Sequence, residues 1–143
     1  MVYLREFQLP SEEQEARFLA GSLEHKRTCY GSRYPFGVFL NRSVPPLKLE
    51  EITILCGGNG SGKTTILNLM GEKLGLGRKA VFNRSSFFDD YLNLCHERVD
   101  RSFTAQVRSG SRVITSDDVF DYLLDFRCMN ENIDTRRREL LEE

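Results

Sequence analysis

The chain has 143 residues, of which 40% are hydrophobic and 29% charged, and this is the size and composition of one globular domain rather than two. The formal net charge of -1 neither requires nor excludes a nucleic-acid partner. No apolar run approaches the ~20 residues of a membrane-spanning helix, and the N-terminus lacks a signal-peptide pattern. These features predict a cytoplasmic protein without a membrane segment.

The first forty residues carry strand and helix signals in turn. Residues 2–9 alternate loosely between apolar and polar side chains, which predicts a first strand. Ser11 and Gln14 have the spacing of a capping box, so a helix is expected over residues 12–20. Residues 36–40 are mostly apolar and predict a second strand.

The clearest strand signal lies in the middle of the chain, over residues 51–56. This segment is short, rich in branched apolar side chains, and runs directly into a cluster of glycines. A helix is then predicted from Lys63, because apolar residues follow at helical spacing. Gly75 and Gly77 are expected to end that helix.

Shorter elements are predicted beyond this helix. Residues 79–83 have the composition of a strand. Ser86 and Asp89 have capping-box spacing and predict the start of another helix. Residues 103–108 and 112–115, separated by Ser-Gly-Ser, are expected to form a β-hairpin.

The last segment predicts one long amphipathic helix, or two in tandem. Thr115 and Asp118 can cap its start, and apolar residues from Val119 to Ile133 recur every three to four positions. No Gly, Asn or Pro closes the helix before Glu143. We therefore expect residues 1–143 to be a single but incomplete domain.

The four cysteines are widely spaced, and none belongs to a Cys-x-x-Cys pair. A structural zinc site needs clustered ligands, and disulfides are rare in cytosolic chains. The sequence therefore predicts reduced and mostly buried thiols at Cys29, Cys56, Cys95 and Cys128.

The motif that carries chemistry is the glycine-rich run that follows residue 56. It reads Gly-Gly-Asn-Gly-Ser-Gly-Lys-Thr-Thr and matches the phosphate-binding pattern Gly-x4-Gly-Lys-Ser/Thr. Glycines let backbone N–H groups approach a phosphate, and the following helix presents its unpaired N–H groups and positive dipole end. The pattern predicts a nucleotide-binding loop made of Gly57, Gly58, Asn59, Gly60, Ser61, Gly62, Lys63, Thr64 and Thr65.

Three side chains of this loop have expected roles. Lys63 is the predicted catalytic residue, because its ammonium can reach the β- and γ-phosphates. The Thr64 hydroxyl is the predicted Mg²⁺ ligand, and Thr65 is expected to contact the α-phosphate. The loop therefore predicts a nucleoside triphosphate and Mg²⁺ as ligands, and the resemblance described next implies that the triphosphate is ATP.

The spelling of the loop, with Ile66-Leu67-Asn68 after it, resembles the P-loop of ABC-type ATPases. That group includes transporter ATPases, SMC and RecF-like heads, and bacterial proteins loosely called AAA-family ATPases. The resemblance implies an α/β P-loop NTPase fold, here the N-terminal lobe with flanking β-strands and a long C-terminal helix. It also implies ATP hydrolysis, a place for Asn59 near the γ-phosphate, and a nucleotide-dependent homodimer of the complete protein; nucleic-acid binding is left open.

Other motifs of such heads are missing. The sequence has no Leu-Ser-Gly-Gly-Gln-like signature and no Asp-Glu pair after an apolar strand. Asp117 and Asp118 are the nearest imitation of the Walker B acids, although they fit the start of a helix better. Gln106 is a second candidate Mg²⁺ ligand, by analogy with the Q-loop glutamine, and the alternative is a solvent-facing strand residue.

Two further groups have a functional and a structural interpretation. Tyr34, Phe36 and Phe39 are available upstream of the loop to stack on an adenine, and core packing is the alternative for each. Residues 136–138 are three arginines that could contact DNA, and the favoured alternative is that they form a solvated helix face.

Three functions remain open from the sequence. The favoured one is an ATPase, in which Mg²⁺ and Lys63 neutralise charge on the transferred phosphoryl group. The alternatives are a small-molecule or nucleotide kinase and a non-hydrolysing module that senses nucleotide or associates with DNA.

Overall fold

A computed structural model describes residues 1–27 and 33–142 of the chain. These residues form a small mixed α/β domain with a three-stranded antiparallel sheet. In chain order the elements are β1 (Leu4–Gln8), α1 (Glu12–Gly21), α2 (Leu23–Arg27), β2 (Leu47–Lys48), α3 (Lys63–Leu74), α4 (Phe88–Leu94), β3 (His96–Val99), α5 (Ala105–Gly110) and α6 (Ser116–Glu142).

The sheet has the strand order β2-β1-β3, with β1 in the middle. Phe7 of β1 faces Leu47 of β2 on one side and Glu97 of β3 on the other. The side chain of Phe7 is fully buried. The first strand was therefore predicted correctly, whereas β2 and β3 were not foreseen, because one has two residues and the other, His-Glu-Arg-Val, has no apolar alternation.

The core lies between β1, α3 and α4, and aromatic rings dominate it. Phe36 meets Tyr91 edge to face, with ring centroids 4.9 Å apart, and stacks on Phe18 at 5.2 Å. Leu69 of α3 and Phe88 of α4 are fully buried in the same cluster. This packing fixes α3, and with it the glycine-rich loop in front of it, against the rest of the domain.

A buried carboxylate joins α1 to the segment that precedes the glycine-rich loop. Glu15 is 3% exposed and accepts hydrogen bonds from the backbone N–H of Gly37 at 3.0 Å and the hydroxyl of Tyr91 at 3.1 Å. Burial and the neighbouring Glu15 carboxylate raise the pKa of the Tyr91 phenol well above its ordinary value. Tyr91 therefore stays protonated and keeps donating to Glu15.

The strand predicted over residues 51–56 is absent. Ile52 and Ile54 are 84% and 78% exposed, and the backbone N–H of Glu50 is tied instead to the hydroxyl of Thr53 at 3.0 Å. A strand needs a neighbour to pair its backbone groups. In the described ranges the three-stranded sheet does not extend to residues 51–56, so the P-loop fold stays a prediction.

Two other predicted strands are also wrong. Residues 36–40 form successive turns, with hydrogen bonds from Phe36 N to Arg33 O at 2.8 Å and from Val38 N to Pro35 O at 3.2 Å. Gly37 has a φ of 85°, which interrupts an extended chain. Residues 79–83 are irregular, and the nearby parallel bridge between Gly77 and Arg112 is an isolated one.

The predicted β-hairpin around residues 103–115 is wrong, because residues 105–110 form helix α5 and Arg112 forms only an isolated bridge with Gly77. Thr104 accepts a hydrogen bond from the N–H of Val107 at 3.4 Å and caps α5. The Ser-Gly-Ser turn signal thus marks the C-terminal end of a helix, where the N–H of Ser111 donates to Arg108 O at 3.1 Å. The Thr104 cap is the local sequence signal for this helix, and the hairpin prediction followed the alternation of apolar residues instead.

Other helix predictions are confirmed. Ser11 and Gln14 form the expected capping box of α1. Helix α3 begins at Lys63 and ends at Gly75, which has a φ of 63°. Helix α4 begins at Phe88 after Phe87, without the predicted Ser86 cap, and Asp89 pairs instead with Arg84 at 2.5 Å.

The long C-terminal helix is confirmed as α6. Asp118 accepts from the N–H and hydroxyl of Thr115, both at 2.8 Å, and from the N–H of Ala80 at 3.1 Å. These hydrogen bonds lower the pKa of the Asp118 carboxyl below its ordinary value. Neither α6 nor another helix in the described ranges has the length and apolar character to cross a membrane.

The cysteine prediction is confirmed only in part. Cys95 is buried, and burial raises the pKa of its thiol to about 12. Cys56 and Cys128 are exposed free thiols, against the expectation of burial. Cys29 lies outside the described residues.

Candidate functional site

The glycine-rich loop makes a tight turn into α3. Gly60 and Gly62 have φ values of 74° and 93°, in the left-handed region that favours glycine. The N–H of Ser61 donates to Gly58 O at 3.3 Å, and the first helical hydrogen bond runs from Ile66 N to Gly62 O at 2.9 Å. The loop and the helix are therefore one continuous unit.

Packing adds a second requirement for glycine at position 62. A Cβ atom there would lie 2.5 Å from Cε1 of Phe39, which is a buried core residue. A Cβ at Gly57 would lie 2.6 Å from Oγ of Ser61. The loop thus packs against its own Ser61 side chain at Gly57 and against the ring of Phe39 at Gly62.

Lys63 folds back into the loop. Its Nζ donates to Gly57 O at 2.6 Å, to Gly58 O at 2.8 Å and to Ser61 Oγ at 3.2 Å. Within the described residues, the ammonium forms no ion pair with a carboxylate. The three N–H donors of the ammonium are used by two carbonyl oxygens and one hydroxyl, so an anion that enters the loop would replace one or more of these neutral acceptors.

The N-terminal end of α3 faces the same loop. Its N-cap is Gly62, which provides no side-chain cap, and its first turn contains no acidic residue. The first N–H groups of a helix have no intrahelical acceptor. Thr64 is exposed at this end, whereas Thr65 is 7% exposed. The helix end thus offers N–H groups, positive dipole and one accessible hydroxyl.

Tyr34 contacts this helix end. Its hydroxyl donates to Oγ1 of Thr65 at 3.1 Å, and its ring stacks on Phe88 with centroids 6.3 Å apart. Its backbone carbonyl accepts from the hydroxyl of Ser85. Tyr34 is therefore beside the loop, while the other two aromatic candidates, Phe36 and Phe39, are 6% exposed core residues.

One contact to the loop was not foreseen from the sequence. Nη1 of Arg42 donates to the carbonyl oxygen of Gly60 at 3.0 Å. The two residues are 18 positions apart, and no local pattern links them. Arg42 stands in the turn that also contains Phe39, so this turn touches the loop at two points.

Comparison with protein-family models, with curated proteins and with solved structures finds no match for this chain. The case for a function therefore depends on the chemistry of the loop and its surroundings.

Gln106 does not join the loop. It lies on α5, whose Arg108 side chain approaches Gly75 at the C-terminal end of α3. Helix α3 has 12 residues, so its two ends are about 18 Å apart. Gln106 therefore lies on a helix near the far end of α3 and not in the predicted hairpin, and its role as an Mg²⁺ ligand stays a prediction.

The acidic pair at the start of α6 has a structural role where it is described. Both carboxylate oxygens of Asp118 accept hydrogen bonds from Thr115 or Ala80. The side chain of Asp117 lies outside the described part of the chain. Among the side chains described, no group of three or more His, Cys, Asp or Glu could hold a metal ion.

Proposed function

We propose that the chain binds ATP with Mg²⁺ in the loop Gly57–Thr65, and that binding is coupled to ATP hydrolysis in the complete assembly. The observation that carries this proposal is the position of the Lys63 ammonium, which is held inside the loop by the Gly57 and Gly58 carbonyls. A cation held in front of a helix N-terminus, with no carboxylate to neutralise it, favours a phosphate ligand.

In this proposal the loop backbone and Lys63 contact different parts of the triphosphate. Backbone N–H groups at the start of α3 and the glycines with positive φ form a concave surface suited to the β-phosphate. On ATP binding, Lys63 exchanges its bonds to the two carbonyls for bonds to the β- and γ-phosphates. Each charge-assisted hydrogen bond contributes about 1.5–3 kcal/mol.

The metal ligand in the proposal is Thr64. Its side chain is exposed in the first turn of α3, next to the residue that carries the ammonium. Mg²⁺ prefers oxygen ligands and keeps several waters, so the Thr64 hydroxyl would share the ion with phosphate oxygens and water. When bound, Mg²⁺ neutralises phosphate charge. Asn59, placed near the γ-phosphate by the resemblance to ABC-type ATPases, completes the loop.

Hydrolysis needs a carboxylate that orients the attacking water. Among the described residues, no Asp or Glu accepts a hydrogen bond from the Lys63 ammonium. We therefore expect the 143-residue chain to bind ATP without measurable turnover. A nucleotide-dependent dimer of the complete protein, which places a second subunit against the nucleotide, belongs to the same proposal.

The test is calorimetric titration of the chain with ATP in the presence of Mg²⁺. Lys63→Ala should weaken ATP binding by at least about tenfold, because it removes charge-assisted hydrogen bonds. Lys79→Ala, which removes an exposed lysine outside the loop, is the matched control and should leave the dissociation constant unchanged. Thr64→Ala should abolish the benefit of Mg²⁺ over EDTA, and Thr64→Ser should preserve it.

The outcomes separate the alternatives. A folded chain, judged by circular dichroism, that binds no ATP would overturn the proposal. Turnover by the chain alone would show that the water-orienting group is present within it. Transfer of phosphate from ATP to a nucleoside or other small acceptor would favour the kinase.

A further inference from the structure

Arg42 approaches the loop from outside and uses few of its donors. Its guanidinium is exposed, and among the described residues its side-chain hydrogen bond is the one from Nη1 to Gly60 O at 3.0 Å. A guanidinium carries further N–H donors in a planar fork that fits two oxygens of a phosphate. The remaining donors of Arg42 are thus available to a ligand in the loop.

Left-handed backbone lies on both sides of Arg42. Asn41 has a φ of 60°, which asparagine adopts more readily than other residues with a Cβ, and Ser43 has a φ of 40°, which serine seldom adopts. A left-handed serine costs free energy and persists where the surroundings impose it. The backbone on either side of Arg42 therefore forms a defined turn.

Anchors on two elements impose this turn. The N–H of Asn41 donates to Oε1 of Glu12 on α1 at 2.7 Å, and the N–H of Arg42 donates to Phe39 O at 3.1 Å. Phe39 in turn packs against Gly62 of the loop. The backbone of Arg42 is therefore placed relative to the loop by α1 and by Phe39 of the core.

We infer that Arg42 contacts the terminal phosphate of ATP and makes the site discriminate ATP from ADP. The inference rests on the proposed function of the loop and extends it by one residue. The β-phosphate is enclosed by the backbone of the loop and by Lys63, which lies inside it. Arg42 binds the carbonyl of Gly60, an exposed residue at the outer bend of the loop. A guanidinium at that position meets the phosphate that projects from the loop.

The experiment compares the affinity for ATP with the affinity for ADP, both with Mg²⁺, by calorimetric titration. Arg42→Ala should weaken ATP binding about tenfold and change ADP binding less than about twofold, because ADP lacks the contacted group. The ATP affinity of Arg42→Lys should fall between those of the wild type and Arg42→Ala, since an ammonium keeps the charge and loses the bidentate fork. Arg17→Ala removes an exposed arginine of α1 and should change neither affinity.

Each other result overturns the inference in a recognisable way. An equal loss of ATP and ADP affinity in Arg42→Ala would mean that Arg42 only braces the loop through Gly60. Unchanged affinity for both nucleotides would mean that Arg42 does not touch the ligand, and the proposed function would stand without it. If the folded wild-type chain binds neither nucleotide, the proposed function fails first and the role of Arg42 fails with it.

Discussion

The packed body of the protein, which contains the buried core between Phe7 and Cys95, and the long helix α6 are stabilised by different interactions. Among the described residues, the buried hydrophobic side chains all lie between Phe7 and Cys95. Along α6, the exposed fractions of the large apolar side chains run from 50% at Val119 to 77% at Leu141. The body therefore depends on contacts between distant parts of the chain. Helix α6 depends on local hydrogen bonds and on its cap, so mutations should lose effect from the body towards α6.

The largest effect is expected at the buried carboxylate of the body. Glu15→Ala leaves the Gly37 N–H and the Tyr91 hydroxyl without their acceptor. An unsatisfied buried hydroxyl at Tyr91 costs about 1–3 kcal/mol and the part-buried N–H of Gly37 costs less, so the free energy of unfolding should fall by about 2 kcal/mol. Urea unfolding followed by circular dichroism measures this change.

Glu15→Gln is the matched control. The amide oxygen can accept from Gly37, and the Tyr91 hydroxyl can rotate to accept from the amide N–H. This variant should unfold close to wild type. A Glu15→Ala loss smaller than about 1 kcal/mol would show that water replaces the missing acceptor, and the body would be less dry than its packing indicates.

A similar effect is expected at the junction of the loop and the core. Gly62→Ala forces a side chain into a φ of 93° and against the ring of Phe39. Overpacking and backbone strain together should lower the free energy of unfolding by about 2 kcal/mol. Gly58→Ala is the control, because a Cβ there meets no atom within 4 Å. Equal stability of the two variants would contradict the fixed placement of the loop on Phe39.

At the boundary between the two regions, stability should depend on acid. The pKa of Asp118 is lowered by hydrogen bonds from Thr115 and Ala80. The cap therefore contributes its full stability at pH values above the ordinary pKa that Asp118 has in the unfolded chain. That contribution is lost as pH falls through the lower pKa of the folded state. The helical signal of wild type should exceed that of Asp118→Asn near neutral pH, and the difference should vanish in acid. A difference independent of pH would mean that the charge of Asp118 does not matter.

The smallest effect is expected within α6. Removal of residues 123–143 deletes apolar side chains that are at least half exposed where they are described. The free energy of unfolding of the body should change by less than about 0.5 kcal/mol. A loss above about 1 kcal/mol would show that α6 packs on the body in solution.

Local patterns explain the predictions that succeeded. The caps at Ser11 and Asp118 and the start of α3 at Lys63 each involve groups within four residues of one another. The predicted strands failed because a strand is stabilised by a neighbour that lies far away in the sequence. Residues 51–56 are the clearest case, since their apolar composition is that of a strand and no described strand pairs with them.

By itself, the sequence determined the glycine-rich loop, the lysine that follows it and the helix behind it, because these depend on residue types at fixed short spacing. Only the tertiary structure decided that Phe39 presses on Gly62, that Tyr34 reaches Thr65 and that Arg42 meets Gly60. These contacts join residues between 18 and 31 positions apart. Their formation depends on the packing of α1, the core and the loop against one another, which no local pattern in the chain encodes.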